Sequence, residues 1–148
     1  MLQRLYLTIA TLGYIGYIPY APGTFGSLVG LLLIILLKPN DSLLILTFII
    51  TCTMGTVSAN NAERSLGRDS PHIVIDEFCG YLLGIIFLPK TLTYLIPALI
   101  LFRLFDILKP QPIKGVEDTF KGGIGVMLDD LVAGVYTNIC MQLWRLLL

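Results

Sequence analysis

Apolar runs separated by short polar segments are the feature of this sequence that most restricts its fold. Only 14% of the 148 residues are charged, whereas an average soluble domain has about 25%. Because the apolar residues occur in blocks and not as a thin amphipathic stripe, we predict an integral membrane protein. The formal net charge is zero, which argues against a nucleic-acid partner.

The runs predict an all-α fold, a polytopic membrane helical bundle that forms a single domain over residues 1–148. We expect five to six short helices: two helical hairpins (28–37 with 43–59, and 77–88 with 92–108) and a C-terminal helix from Leu131. Residues 1–20 are expected to be retained, and not cleaved as a signal peptide, and to form an interfacial or partly inserted helix.

This arrangement places the two hairpin loops at one end of the bundle and the polar segments at the other. Lysine and arginine are more frequent at the polar end: Arg4, Arg64, Arg68, Lys109, Lys114 and Lys121. By the positive-inside rule, the polar end would therefore be cytoplasmic in a multi-pass membrane protein.

Charge, proline and glycine are concentrated between Phe102 and Gly134. Arg103, Asp106 and Lys109 are three residues apart in turn, so on a helix they share one broad face. Pro110 and Pro112 would end that helix, and a glycine-rich turn then leads into a second charged stretch at the predicted start of the last helix.

Five of the ten acidic residues are predicted at this polar end, each beside an apolar helix. Carboxylates crowded near hydrocarbon need a cation or protonation, and Mg²⁺ suits a few carboxylates together with a phosphate. The candidate metal ligands are Asp76, Glu77, Asp106, Asp129 and Asp130. Helix capping is the alternative for Asp76 and Asp129, but it does not explain Asp106, near a helix C-terminus.

The turn before the second apolar run is a candidate phosphate site. Thr24 is predicted to cap a helix from about Leu28, and with Gly26 and Ser27 it offers hydroxyls and backbone N–H groups to an anion. An ordinary capped turn is the alternative. Arg103 and Lys109 could offset phosphate charge or pair with Asp106.

The single histidine, His72, is not assigned as a general base. One histidine remote from any serine or cysteine nucleophile excludes a Ser/His/Asp or Cys/His system.

Four blocks in order, PYAPGTFGSL, IVIDEFCG, FRLFDILKPQPI and GGIGVMLDDLVAG, resemble the phosphatidylglycerophosphatase A family of bacteria. The resemblance implies a Mg²⁺-dependent phosphatase of the bacterial cytoplasmic (inner) membrane. Its substrate would be a phospholipid, phosphatidylglycerophosphate, whose terminal phosphate it removes to give phosphatidylglycerol.

The family's motifs carry over to particular positions of this sequence. Its acidic positions fall on Asp76, Glu77, Asp106, Asp129 and Asp130, and all except Glu77 are candidate catalytic residues. The phosphate-binding candidates are Thr24, Gly26, Ser27, Arg103 and Lys109. The oligomeric state, the number of metal ions and the choice between water and an aspartate as nucleophile stay open.

Two other functions are alternatives. A CDP-alcohol phosphotransferase requires Asp-Gly and Ala-Arg pairs in its signature, and the sequence contains neither. A small non-enzymatic ion-binding or transport protein would place acidic residues along the depth of the bundle, whereas here they are predicted at one end.

Overall fold

The computed structural model describes residues 1–68, 70–111, 113–120 and 122–147, apart from the side chains of residues 116–118. Within these residues the structure has seven α-helices and no strand, so the predicted all-α class is confirmed. Pro112 and Lys121 lie outside the described residues. The helices are α1 (Leu2–Ala10), α2 (Pro22–Leu37), α3 (Asp41–Leu66), α4 (Ile75–Gly84), α5 (Leu92–Leu108), α6 (Ile113–Thr119) and α7 (Gly123–Leu147).

The short helix α4 lies at the centre of the bundle and packs against α2, α3, α5 and α7. Its backbone comes unusually close to α7: a Cβ on Gly80 would lie 2.6 Å from the carbonyl oxygen of Asp130, and one on Gly134 would lie 2.4 Å from that of Gly80. Small residues allow this kind of close helix contact. The contact fixes Asp130 on α7 relative to the first turn of α4.

Two of the predicted helix starts are wrong. Helix α2 begins at Pro22 and not near Leu28, because proline is well suited to the first helical position. Its N-cap is Ala21, so Thr24 lies in the first turn and does not cap the helix. Helix α7 begins at Gly123, which places Asp129 almost two turns inside it.

These boundaries remove the capping explanation for the acidic pairs. The N-cap of α4 is Val74, and no described side chain accepts a hydrogen bond there. Neither Asp76 nor Asp129 is therefore an N-cap, although Asp76 and Glu77 lie in the first turn of α4, where the helix dipole favours an anion.

The two hairpin turns meet at the end of the bundle away from these acidic residues. Lys90 Nζ is 2.8 Å from Asp41 Oδ1, which joins the turn after α2 to the turn before α5. Arg145, near the end of α7, donates to the carbonyl oxygen of Phe87 over 2.8 Å. The predicted separation of the hairpin turns from the acidic pairs is confirmed.

The N-terminal helix α1 packs along α3, where Gln3 Nε2 donates to the carbonyl oxygen of Asn61 over 2.9 Å. A helix of nine residues is about 14 Å long, which is too short to cross a membrane. A turn follows in which Leu12 and Tyr14 adopt positive φ angles of 48° and 73°.

Two helices, α3 with 26 residues and α7 with 25, are long and apolar enough to cross a membrane. Helices α2 and α5 have 16 and 17 residues, and α4 has ten. Length and composition therefore agree with membrane association through α3 and α7.

Candidate metal and phosphate site

Three carboxylates from two helices converge at one end of the bundle. Asp76 and Glu77 lie in the first turn of α4, and Asp130 faces them from α7. One oxygen atom from each lies within 4.8 Å of the others. Asp76 is 7% exposed and Asp130 is 3% exposed, so solvent does little to reduce their repulsion.

The cluster has oxygen atoms without partners. Glu77 Oε2 and Asp130 Oδ1 are buried, and neither has a hydrogen-bond partner among the described residues. Leaving a buried polar atom unsatisfied costs about 1–3 kcal/mol, and more when it is charged. A cation bound between the three side chains would remove this cost.

Electrostatics at the start of α4 also favour a cation. Burial raises the pKa of the Asp76 carboxyl well above its ordinary value, and the charges of Glu77 and Asp130 raise it further. Burial likewise raises the pKa of Glu77, although Asp76 and Arg103 act in the opposite direction. Three oxygen donors with a surplus of negative charge fit a hard divalent ion such as Mg²⁺.

The other two acidic candidates are paired with basic side chains. Asp106 Oδ2 is 2.5 Å from Arg103 Nη1, and the same nitrogen is 3.7 Å from Glu77 Oε1. Asp129 Oδ2 is 2.9 Å from Lys109 Nζ. The structure thus brings Asp76, Glu77 and Asp130 together and places Asp106 and Asp129 in ion pairs around them.

The start of α2 borders the cluster. An ideal Cβ on Gly23 would lie 1.9 Å from Glu77 Oε1, so this carboxylate rests directly against the first turn. Thr24 follows, and the N–H groups of a first turn have no acceptor within their own helix. No sequence pattern predicts the contact between Gly23 and Glu77, because they lie on helices far apart in the chain.

The other two residues of the predicted phosphate turn are engaged in packing. Ser27 is buried, and its Oγ donates to the carbonyl oxygen of Gly23 over 3.0 Å. Gly26 packs so closely on α4 that a Cβ would lie 2.6 Å from the carbonyl oxygen of Val74.

The single histidine lies in the segment before α4. His72 Nδ1 is 2.9 Å from the carbonyl oxygen of Gly16, and its ring stacks on Tyr17 with centroids 4.5 Å apart. These contacts join the segment before α4 to the turn after α1.

The sequence profile of the family described as phosphatidylglycerophosphatase A matches residues 8–145. The chain belongs to the phosphatidylglycerophosphatase A family. The match includes all four motif blocks, and the family prediction made from them is confirmed.

Three curated relatives are similar over part or most of the chain. A phosphatidylglycerophosphatase A of Haemophilus influenzae is 36% identical over 130 residues, 83% of this chain and 80% of that protein. One of Escherichia coli is 33% identical over 84 residues, 55% of this chain and 49% of that protein. A protein of Bacteroides thetaiotaomicron described as a putative phosphatidylinositol-3-phosphatase is 40% identical over 94 residues, 62% of this chain and 58% of that protein. No solved structure matches.

Proposed function

We propose that this protein is a Mg²⁺-dependent lipid phosphatase that converts phosphatidylglycerophosphate to phosphatidylglycerol and phosphate. The observation that carries the proposal is the buried cluster of Asp76, Glu77 and Asp130 in a chain of this family. The names of the Haemophilus and Escherichia relatives support the substrate.

Asp76, Glu77 and Asp130 are the residues that would hold the metal. When bound there, Mg²⁺ supplies Lewis-acid chemistry: it offsets the negative charge on the phosphoryl oxygens and favours ionisation of a nearby water. Asp129 would act through its ion pair with Lys109, and Asp106 is held by its ion pair with Arg103.

The phosphate group would lie between the carboxylate cluster and the first turn of α2. The N–H groups of that turn and the Thr24 hydroxyl can donate to phosphate oxygens, and Lys109, beside Asp129, would supply positive charge. We assign Gly26 to the packing of α2 against Val74, and the Ser27 hydroxyl to a hydrogen bond with Gly23 within α2.

Hydrolysis would proceed by in-line attack of water on phosphorus. The new bond joins the water oxygen to phosphorus while the bond from phosphorus to the glycerol oxygen breaks, and that oxygen takes up a proton from solvent. We propose Asp106 as the group that receives the proton from water, because Arg103 holds it beside Glu77.

We also propose that the protein is a multi-pass protein of the bacterial cytoplasmic membrane with its site on the cytoplasmic face, at the level of the lipid headgroups. Helices α3 and α7 would cross the bilayer. Tyr14, Tyr17 and Tyr20 follow α1 and are 55%, 45% and 103% exposed, and tyrosine is enriched at membrane interfaces. Tyr20 lies just before α2, so the three rings would mark the headgroup level beside the carboxylates.

The test is phosphate release by the purified protein from phosphatidylglycerophosphate, phosphatidic acid and phosphatidylinositol 3-phosphate in mixed micelles. We expect the fastest release from phosphatidylglycerophosphate, loss of activity with a chelator and recovery with added Mg²⁺. Faster release from the inositol lipid would reassign the substrate, in line with the name of the Bacteroides relative. Release that is unaffected by chelation would contradict the metal site.

A further inference from the structure

Gly23 is the residue that leaves room for the Glu77 carboxylate. A methyl group at position 23 would lie 1.9 Å from Glu77 Oε1, 2.8 Å from its Cδ and 3.1 Å from Arg103 Nη1. Atoms not bonded to each other do not approach a Cβ closer than 3.0 Å. An alanine at this position would therefore displace the Glu77 carboxylate by about 1 Å.

The atom in the way is the end of a side chain and not backbone. This distinguishes Gly23 from Gly26 on the same helix, where a Cβ would meet the Val74 carbonyl oxygen at 2.6 Å. At position 23 the conflict can be relieved by rotation of Glu77 while α2 and α4 keep their positions. We expect the fold to tolerate Gly23→Ala and the carboxylate to move.

The Glu77 carboxylate is held between Gly23 and Arg103. Its side chain is 15% exposed, and Arg103 Nη1 lies 3.7 Å from Oε1. Arg103 is itself held by Asp106 at 2.5 Å. The first turn of α2 also attracts an anion, because the N-terminal end of a helix carries partial positive charge.

We propose that Gly23 is a positioning residue: its missing side chain, together with Arg103, places the Glu77 carboxylate for metal binding. Gly23 thus acts on the metal through Glu77 and not by direct contact with the phosphate. The proposal rests on the metal site of the proposed function.

The experiment is a double-mutant cycle on Mn²⁺ affinity, measured by electron paramagnetic resonance of the purified protein in detergent without substrate. Gly23→Ala should weaken Mn²⁺ binding about tenfold to a hundredfold, the range found when a residue supporting a metal ligand is lost. In a Glu77→Ala background the same change should have almost no further effect, because the displaced carboxylate is already gone.

Gly30→Ala is the matched control. Gly30 is also on α2 and faces α4, where a Cβ would lie 2.9 Å from Tyr81 Cδ1, away from the carboxylates. Gly30→Ala should leave Mn²⁺ affinity unchanged. Thermal unfolding of each variant shows which of them are folded, and Gly23→Ala should unfold within a few degrees of the wild type.

The outcomes separate this inference from the proposed function. Wild-type protein that does not bind Mn²⁺ would overturn the metal site itself. If the wild type binds Mn²⁺ and Gly23→Ala binds it equally well, the positioning role of Gly23 is wrong. An equal loss in the presence and absence of the Glu77 carboxylate, or unfolding of Gly23→Ala, would also refute it and assign Gly23 to the packing of α2.

Discussion

The substitution Asp130→Asn should stabilise the metal-free protein while it removes a metal ligand. Asp130 is buried, with 3% of its surface exposed, and its Oδ1 has no hydrogen-bond partner among the described residues. Asparagine has nearly the same shape but carries no charge. The substitution therefore removes repulsion from Asp76 and Glu77 without leaving a cavity.

The structure gives the size of the effect. Two unit charges at 4.8 Å, the upper limit of the separations between these oxygen atoms, repel each other by about 3.5 kcal/mol at an effective dielectric constant of about 20. Partial protonation of the cluster relieves part of this repulsion, so we expect a gain of about 1–2 kcal/mol. For a domain of this length, that gain raises the unfolding temperature by about 2–8 °C.

Added Mg²⁺ should make the wild type more stable than Asp130→Asn, the reverse of their order in chelator. At a Mg²⁺ concentration 100 times its dissociation constant, the wild type gains about 2.7 kcal/mol, whereas Asp130→Asn should gain little. The assay is thermal unfolding in detergent with chelator and with Mg²⁺. A thiol-reactive dye can report it, because Cys79 is fully buried in the folded state.

Asp129→Asn is the matched control, since it removes the neighbouring carboxylate, which pairs with Lys109. It should not raise the stability of the metal-free protein, and Mg²⁺ should still stabilise it. The reasoning is refuted if Asp130→Asn lowers stability in chelator, or if Mg²⁺ stabilises Asp130→Asn as much as the wild type.

Three further predictions concern Lys109, Asp76 and Tyr20. Lys109→Gln should raise the KM for the lipid phosphate by about tenfold to a hundredfold, because one charge-assisted hydrogen bond is lost. Lys109→Arg should restore part of the lost affinity. An unchanged KM in steady-state assays would show that Lys109 does not bind the substrate. Because burial raises the pKa of Asp76, its contribution to stability is present below the unfolded pKa of about 3.9 and is lost as the pH rises through the folded value. Denaturation of metal-free protein between pH 4 and 8 should therefore show a smaller decline for Asp76→Asn than for the wild type, and parallel curves would contradict this. With Trp144 replaced by Phe and Tyr20 by Trp, lipids brominated near the headgroup should quench fluorescence more than lipids brominated near the chain end, and the reverse order would place this segment deep in the bilayer.

The acidic pairs could be located from the sequence, but which residue of a pair joins the carboxylate cluster and which forms an ion pair could not. Asp129 and Asp130 are adjacent on a helix, so their side chains point about 100° apart. Only Asp130 can face α4, and Asp129 turns toward Lys109. To predict this difference, the start of α7 and the side of α7 that packs on α4 would both have to be known.

The helix starts were misplaced because apolar runs mark where a helix is buried and not where it begins. In α2, Pro22 and Gly23 precede the apolar run, and a helix beginning at proline extends the first turn to the edge of the carboxylate cluster. The short helix α6 lies in a stretch that reads as a polar loop. The meeting of Gly23 with Glu77 depends on the packing of α2 against α4, which no local pattern encodes.

The most direct test of a shared divalent ion held by α4 and α7 is a titration of purified protein with Mn²⁺, comparing the wild type with Asp76→Asn, Asp130→Asn and Asp129→Asn. The structure predicts weak or absent binding in the first two variants, which lie on different helices, and near-normal binding in the third. Equal Mn²⁺ affinity in the wild type and in both Asp76→Asn and Asp130→Asn would contradict the metal site.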